Sequence, residues 1–192
     1  MQSEITGAQS KREAVLSLVD FTNFMGTKGA LHACFYHFTD DRNLPSIREH
    51  GLLSMARLRQ SGVIVAAPGG NEWSSEADRR SGMDQYVHLS FLDSHPMEYL
   101  AKQEGRIIQS KLLKIRPDII HMDGVRVSLE VSNKAGVVIK PAADALDDID
   151  LEVIYTRTNW KDEAIQKRLK AARLREILVP DHVPVEYIMN IG

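Results

Sequence analysis

The apolar residues of this chain fall mostly into short runs of strand length, and this arrangement limits the fold more than any other feature. The clearest run is 125–131, in which four apolar residues alternate with polar ones, a pattern typical of a strand with one buried face. We predict strands at 33–38, 86–91, 107–115, 125–131, 151–155 and 176–179, and an edge strand at 185–191. Because these strands outnumber the predicted helices and most sequence neighbours look antiparallel, the chain is predicted to have an α+β fold.

Helices are predicted in the remaining periodic segments, and one of them precedes the sheet. Residues 10–25 place apolar side chains on one side at helical spacing, which predicts an amphipathic helix that ends at a break over 26–29. The other predicted helices lie near 55–60, at 75–81, at 160–174 and between Pro45 and Gly51. At 192 residues and without a Pro- or Ser-rich linker, the chain is expected to form one domain with an N-terminal appendage.

Charge is balanced over the whole chain but segregated along it. The 24 Lys and Arg residues against 26 Asp and Glu residues give a net charge of −2, which excludes a protein that coats DNA through a uniformly basic surface. Residues 142–156 are acidic, whereas residues 157–175 and 102–116 are basic. This segregation allows a groove that follows a nucleic-acid strand.

The sequence also excludes or disfavours several kinds of site and location. Cys34 is the only cysteine, so intramolecular disulfides and Cys-based zinc sites are excluded, and we expect a buried, inert thiol. The sequence contains no HExxH, GxGxxG, GxxxxGK or GxSxG pattern. His88 and His95 lie seven residues apart without the spacing of a helical ligand pair, and no metal is predicted.

No apolar run approaches the roughly 20 residues that span a bilayer, and the first residues do not resemble a secretory signal. We therefore expect a cytoplasmic protein that makes no membrane contact.

Three groups of side chains are candidates for chemistry, and each has an ordinary structural explanation as well. His37 and Thr39 lie on one face of a predicted strand, where they can grip a ribose or an amide, but His37 can equally be a core histidine bonded to backbone. Arg79 and Arg80 can clamp a phosphate or lie on a solvated helix face, and at most one faces a given cleft. Glu176 begins an apolar strand, where a buried carboxylate is either paired with an arginine or used in chemistry.

Seven short segments that include these candidates occur in a recognisable order. They are YHFT at 36–39, NLPSI at 43–47, GLLS at 51–54, DRR at 78–80, YVHLSF at 86–91, HPMEY at 95–99 and ARLREILVP at 172–180. In this order they resemble the DarT family, whose members are NAD-dependent ADP-ribosyltransferases that modify DNA bases and act as toxins of toxin–antitoxin systems. The resemblance covers about residues 35–192.

The resemblance implies a fold and a set of site residues. The fold would be ADP-ribosyltransferase-like, with a split antiparallel sheet and an NAD cleft in residues 35–192, and with 1–34 as an N-terminal helical extension. The residues implied to bind NAD, which serves as substrate, are His37, Phe38, Thr39, Ser46 and Arg80. The implied catalytic residues are Arg80 and Glu176, and no metal is required. Arg80 would neutralise the pyrophosphate and assist removal of a proton from the attacking base, and Glu176 would stabilise the oxocarbenium-like ribose.

The substrate and partners are expectations, and the sequence leaves more than one substrate open. The expected substrate is a base in single-stranded DNA. Thymine, guanine and an RNA base stay open, because the chain has about 34 residues before the YHFT segment that thymidine-modifying members lack, and because residues 62–73 match no part of the family's pattern. Trp73, Tyr155 and Trp160 are the candidates for stacking an extruded base. Removal of a 2′-phosphate from RNA and a non-catalytic nucleic-acid-binding domain also stay open. The implied partner is an antitoxin, a macrodomain-type or related ADP-ribosylhydrolase, and the chain is expected to be a monomer.

Overall fold

The computed structural model describes residues 16–27 and 32–191 of the chain. The helices in these residues are α1 (Leu18–Thr27), α2 (Leu44–His50), α3 (Met55–Ser61), α4 (Glu72–Ser81), α5 (Pro96–Gln103), α6 (Ala142–Ala145), α7 (Leu151–Tyr155) and α8 (Glu163–Ala172). The strands are β1 (Phe35–Asp40), β2 (Leu52–Leu53), β3 (Tyr86–Ser90), β4 (Ser110–Ile115), β5 (Arg126–Ser128), β6 (Ile139–Pro141), β7 (Glu176–Pro180) and β8 (His182–Val183). The described residues also contain five short 3₁₀ helices, four between these elements and one after β8.

The main sheet is antiparallel and is split between two of its strands. Its six strands have the order β4-β1-β3-β7-β5-β6, and β2 pairs with β8 in a separate two-stranded sheet. β1 pairs with β4 over six residues, and β3 pairs with β7 over five. β1 and β3, in contrast, share one register position, Tyr36 opposite Ser90. Because the two halves of the sheet are joined at one end, a cleft opens between β1 and β3. The predicted α+β fold with a split antiparallel sheet is confirmed.

Helix α1 packs into the core that covers one face of this sheet. Phe21 and Met25 of α1 are 0% and 1% exposed. The Phe21 ring stacks on Phe35 of β1 with centroids 6.1 Å apart, and it meets the edge of Tyr155 at 6.2 Å. Burial of each such side chain contributes roughly 1.5–3 kcal/mol, so α1 stabilises the β1 half of the sheet. Of the predicted helix 10–25, residues 10–15 lie outside the described residues, and α1 continues through the start of the predicted break as far as Thr27.

Two predicted strands are wrong. Residues 151–155 form helix α7, because the carboxylate of Asp150 accepts a hydrogen bond from the backbone N–H of Val153 and caps a helix at this point. The segment 185–191 forms a 3₁₀ helix over Val185–Tyr187 and contributes one bridge, between Ile188 and Ile115. The expectation that strands outnumber helices is also wrong, since the described residues contain eight of each.

The strand predicted at 107–115 is correct but shorter than expected. β4 begins at Ser110, because the backbone N–H groups of Ile108 and Gln109 donate to the carboxylate of Asp40 at 2.8 and 3.2 Å instead of joining the sheet. Asp40 is 1% exposed, and its hydrogen bonds to Arg42 hold the pKa of its carboxyl group well below the usual range. The buried carboxylate of Asp40 therefore holds the backbone of Ile108 and Gln109 in place just before β4.

The ends of two helices place them beside the cleft. Helix α2 ends at Gly51, as predicted, with a positive φ of 73°, and a Cβ there would lie 2.2 Å from the carbonyl oxygen of Val183. Asn71 caps the start of α4, where its side-chain oxygen accepts from the N–H of Ser74 at 2.8 Å, and Gly82 caps its end. Among the residues that the structure describes, no helix has the length and apolar character needed to cross a membrane.

Candidate active site

A cavity of about 490 Å³ occupies the cleft between β1 and β3, within the range of roughly 300–1,000 Å³ typical of ligand pockets. One side, which we call the sheet wall, consists of His37 and Thr39 of β1, His88 of β3 and Glu176 of β7. The opposite side, which we call the helix wall, is formed by the residues of α4 that face the cavity, from Trp73 to Asp78.

His37 bridges the split in the sheet. Its Nδ1 lies 2.9 Å from the backbone carbonyl oxygen of His88, and because a carbonyl only accepts, Nδ1 carries the proton. Burial lowers the pKa of His37, so the ring is neutral and Nε2 is its acceptor nitrogen. A carbonyl that an intact sheet would pair with backbone is thus satisfied by a side chain, and β1 and β3 can separate without leaving this carbonyl unpaired.

Thr39 is held in place by a buried asparagine. The side-chain amide nitrogen of Asn43 donates to Oγ1 of Thr39 at 3.1 Å and to the carbonyl of Ala67 at 2.7 Å. The N–H of Ala67 donates in return to the side-chain oxygen of Asn43 at 2.9 Å. Asn43 therefore orients the threonine hydroxyl and ties the loop before α4 to the sheet wall.

Glu176 is buried on the sheet wall and surrounded by hydrogen-bond donors. It is 6% exposed, and its Oε2 accepts from the backbone N–H of Ser132 at 3.0 Å. The Nδ1 of His88 lies 3.4 Å from the same oxygen, because His88 is the diagonal neighbour of Glu176 across the β3–β7 pair. Nε2 of His95 lies 3.7 Å from Oε1. A buried carboxylate with these neighbours remains ionised.

The neighbours of His88 favour a positively charged ring. Nε2 lies 3.2 Å from the carbonyl oxygen of Met83 and therefore carries a proton, and Nδ1 lies 3.4 Å from the carboxylate of Glu176 and 3.1 Å from the hydroxyl of Ser132. Burial lowers the pKa of His88, but the hydrogen bond and the negative charge of Glu176 outweigh burial and raise the pKa to about 9. Burial raises the pKa of Glu176, but the hydrogen bond and the positive charge of His88 outweigh burial and lower this pKa below its usual value.

His95, in contrast to His88, is neutral. Its Nδ1 accepts from the backbone N–H of Met97 at 3.2 Å, and burial lowers its pKa. The ring is therefore neutral and carries its proton on Nε2, which faces Glu176. Its ring also stacks on Phe38 at 6.2 Å, so the second histidine beside Glu176 is fixed from both sides.

The helix wall brings a second carboxyl group, Asp78, to the cavity. Asp78 lines the cavity, and its Oδ1 is buried without a hydrogen-bond partner among residues 16–27 and 32–191. Burial raises the pKa of Asp78, against the opposing effects of the positive charge of His88 and a hydrogen bond from Asn133. The two carboxyl groups of the cavity thus have pKa values shifted in opposite directions.

The structure brings together five of the predicted site residues and leaves one outside. His37, Phe38, Thr39, Ser46 and Glu176 all line the cavity. Arg80 does not line it: its side chain is 74% exposed, and its guanidinium pairs with Glu76 at 2.5 Å. The sequence alone left open which face of α4 meets the cleft, and the structure turns Asp78 rather than Arg80 toward it.

Of the three predicted base-stacking residues, one is at the cavity. Trp73 lines the cavity and is 79% exposed, so its ring is accessible at the mouth. Tyr155 is 1% exposed in the core, which excludes it from stacking on a ligand. Trp160 is 66% exposed but does not line the cavity.

Sequence reasoning missed several residues that shape the site. The structure places both His88 and His95 around Glu176, and in the described residues no group of three or more His, Cys, Asp or Glu side chains could hold a metal ion. The position of His88 follows from strand pairing, which the sequence does not specify. No sequence pattern pointed to Ser132, and Asp78 lay in the DRR segment without a role of its own. Asn43 had one, since it stands just before Leu44 and Pro45 at the start of a helix.

Comparison with known proteins agrees with this geometry. The model of the DarT family, described as ssDNA thymidine ADP-ribosyltransferase, matches residues 36–192. The chain belongs to the DarT family. The predicted class of enzyme, a DNA ADP-ribosyltransferase that uses NAD, is thereby confirmed. Among curated proteins, none matches this chain.

Solved DarT structures share the fold at low sequence identity. Thermosipho africanus DarTG in complex with ADP-ribose has a TM-score of 0.63 and 21% identity, over 81% of this chain and 42% of that one. Thermus sp. 2.9 DarT in complex with ADP-ribosylated ssDNA has a TM-score of 0.63 and 19% identity, over 81% and 78%. The same DarT in complex with NAD+ has a TM-score of 0.54, with 19% identity over 81% and 79%. The matched region therefore spans about two-fifths of the DarTG chain and about four-fifths of the Thermus chain.

Proposed function

We propose that this protein transfers ADP-ribose from NAD to a thymine base in single-stranded DNA. The observation that carries the proposal is the ionised Glu176 on the wall of a ligand-sized cavity, together with His37 and Thr39 of the strand across the split. Family membership supports the same activity and favours thymine among the bases considered, and the Thermus sp. 2.9 DarT complexes contain NAD+ and ADP-ribosylated ssDNA.

We assign NAD binding to the polar side chains of β1 and α2. Nε2 of the neutral His37 can accept a hydrogen bond, the hydroxyl of Thr39 can donate or accept one, and Ser46 supplies another hydroxyl to the cavity. Phe38 adds an aromatic face that stacks on His37 and His95. This combination of apolar surface with a few oriented polar groups suits a nicotinamide riboside.

Glu176 is the proposed catalytic carboxylate. The bond between nicotinamide and the ribose C1′ breaks, its electron pair leaves with nicotinamide, and positive charge develops on the ribose. A carboxylate held ionised by His88 and by the N–H of Ser132 stabilises that charge without rearranging. A nitrogen of the target base then forms the new bond to C1′ and loses its proton.

Arg80 is proposed to contact the pyrophosphate from the rim of the cavity. In the structure its guanidinium pairs with Glu76 on the exposed face of α4, an interaction that typically contributes about 0–1 kcal/mol. Exchange of this carboxylate for the doubly charged pyrophosphate therefore costs little and gives stronger, charge-assisted hydrogen bonds. Arg79 is also exposed, and we propose Arg80 as the more important of the two.

Trp73 is the proposed stacking platform for a base. It is the candidate aromatic that combines exposure with a place on the cavity wall, and stacking is the usual way in which proteins hold unpaired bases. We further propose that the activity acts as a cytoplasmic toxin, by a chain that works as a monomer, and that a macrodomain-type or related ADP-ribosylhydrolase removes the modification.

The proposal is tested by incubating the protein with labelled NAD and with single-stranded DNA, duplex DNA or RNA oligonucleotides. We expect label on thymine-containing single strands, and we expect a macrodomain hydrolase to remove it. Failure to label any of the three nucleic acids would overturn the proposed activity. Label on RNA alone, or loss of a terminal 2′-phosphate from RNA, would replace the DNA substrate with RNA.

The role of Arg80 is tested with Arg79→Ala as its matched control. We expect Arg80→Ala to lower the rate of transfer more than Arg79→Ala and to raise the KM for NAD, because the pyrophosphate loses a charged partner. A larger loss in Arg79→Ala would show that the other arginine reaches the cofactor.

A further inference from the structure

The proposed transfer requires a group that accepts the N–H proton of the attacking base. The nitrogen of an imide such as thymine shares its lone pair with the neighbouring carbonyl groups, so it becomes nucleophilic only as its N–H proton departs. Arg80 is poorly suited to take this proton, because a guanidinium stays protonated in proteins and this one faces solvent beside Glu76. Glu176 must stay ionised against the ribose and already accepts from Ser132 and His88.

Asp78 is a cavity carboxyl group that no other step uses. It stands on the helix wall of the cavity, opposite Glu176 on the sheet wall. Its Oδ1 is buried and has no hydrogen-bond partner within the described part of the chain, so this acceptor stays unsatisfied until a small rotation of the side chain turns it toward an N–H in the cavity. The exposed ring of Trp73 lies on the same helix, five residues before Asp78, so α4 presents both an aromatic face and a carboxylate.

The surroundings of Asp78 separate its chemistry from that of Glu176. Burial and the negative charges of Glu176 and Asp84 raise the pKa of Asp78, while the charge of His88 and a hydrogen bond from Asn133 lower it by less. The pKa of Glu176 is shifted down. Two carboxyl groups in one site with pKa values shifted apart are typical of one group that stays charged and another that exchanges a proton.

We propose that Asp78 is the general base that removes the N–H proton of the attacking base. This inference rests on the proposed function. The C1′–nicotinamide bond breaks and nicotinamide leaves with the electron pair, the base nitrogen forms its bond to C1′, and its proton passes to the Asp78 carboxylate. The proton then goes to solvent through the open mouth of the cavity, so no further reactant is needed.

The test compares two reactions of one enzyme, transfer to DNA and hydrolysis of NAD by water. We expect Asp78→Asn to lower transfer to a thymine oligonucleotide by about 100-fold or more, the usual range for loss of a general base. Hydrolysis of NAD should change by less than a few-fold, because water carries a free lone pair and needs no prior deprotonation. Asp78→Glu should recover part of the transfer. Asp144→Asn, an exposed aspartate on α6, is the control and should keep both activities.

A second measurement separates a base from a residue that only shapes the cavity. Replacing thymine with 5-fluorouracil gives a more acidic N–H, and we expect this substrate to reduce the defect of Asp78→Asn by about ten-fold or more. Transfer by the wild type should also decrease as the pH falls through the pKa of Asp78, and this decrease should be absent from Asp78→Asn. The pKa of Asp78 also depends on its neighbours His88, Asn133, Glu176 and Asp84. The effect of Asp78 is therefore the difference between the pH profiles of the wild type and of Asp78→Asn.

The outcomes distinguish this inference from the proposed function. Transfer by Asp78→Asn at the rate of the wild type would overturn the inference, and so would equal losses of transfer and hydrolysis without recovery on the acidic substrate. A wild-type protein that neither hydrolyses NAD nor modifies DNA would instead overturn the proposed function. Loss of transfer alone, with recovery on 5-fluorouracil, is the result that supports Asp78.

Discussion

The two walls of the cavity are built in different ways. On the sheet wall, Thr39, His88 and Glu176 are each fixed by hydrogen bonds to neighbouring side chains or backbone. On the helix wall, Trp73 is 79% exposed and Asp78 has a buried oxygen without a partner among the described residues. Groups that stabilise a transition state must be held before the reaction begins, whereas groups that meet a variable ligand can complete their contacts on binding. The comparison therefore separates a preorganised wall, to which we assign the cofactor, from a wall to which we assign recognition of the base.

The two walls also differ in what a substitution should change. A residue of the sheet wall shares buried hydrogen bonds with its neighbours, so its loss should affect folding stability, catalysis or both. On the helix wall, the ring of Trp73 is 79% exposed, so its loss should affect substrate use and leave stability unchanged. Substitutions on each wall can therefore test this division.

The largest effect is expected for Glu176→Gln. This change keeps the shape of the side chain but removes the charge that opposes the developing oxocarbenium ion, so we expect both DNA transfer and NAD hydrolysis to decrease by about 100-fold to 1,000-fold. Glu186→Gln, at an exposed glutamate near the C-terminus, is the matched control. Rates of nicotinamide release measure both proteins, and a Glu176→Gln enzyme with nearly the rate of the wild type would exclude Glu176 from catalysis.

Asn43→Ala should destabilise the sheet wall most. It removes three hydrogen bonds and leaves the buried N–H and carbonyl of Ala67 without partners, which we expect to lower the free energy of unfolding by about 3 kcal/mol. Urea unfolding gives this value. Thr39→Val leaves the bonds between Asn43 and Ala67 intact and should instead raise the KM for NAD. Equal stability of Asn43→Ala and the wild type would show that the loop before α4 is not tied to the sheet wall.

The strands were easier to predict from the sequence than the helix that replaces one of them. The strands at 86–91 and 176–179 followed from local apolar patterning, because the first alternates apolar with polar residues over strand length and the second is a short apolar run after Glu176. The strand predicted at 151–155 fails because a single capping carboxylate, Asp150, outweighs the strand preference of Val153 and Ile154. The composition of the segment does not reveal whether a helix cap or the strand preference of the apolar residues determines its structure.

The site was predictable where residues lie close in sequence and not where the fold joins distant ones. His37 and Thr39 share a face of one strand, so their joint position in the cavity followed from strand periodicity. His88 meets Glu176 only through the β3–β7 register, across 88 positions of sequence. Asp78 could not be preferred over Arg80, because the sequence does not reveal which face of α4 meets the cavity.

The charge of His88 should make stability depend on pH. Its pKa of about 9 in the folded protein exceeds the ordinary value of 6.5, so its charge stabilises the fold fully below pH 6.5, and this contribution is lost as the pH rises through 9. We expect the free energy of unfolding to fall by roughly 1–3 kcal/mol across this pH range. His88→Gln should show a smaller decrease in the same urea titrations. An identical decrease in both proteins would show that His88 is neutral beside Glu176.

The smallest effect is expected on the helix wall, where Trp73→Ala removes an exposed ring. Base stacking on an aromatic side chain is worth about 1–3 kcal/mol, so we expect the KM for single-stranded DNA to rise by roughly ten-fold, with an unchanged midpoint of urea unfolding. Trp160→Ala removes an equally large exposed ring that does not line the cavity, and it should change neither quantity. If Trp73→Ala instead raised the KM for NAD alone, the ring would belong to the cofactor. The helix wall would then serve cofactor binding as the sheet wall does, and the division between the two walls would be wrong.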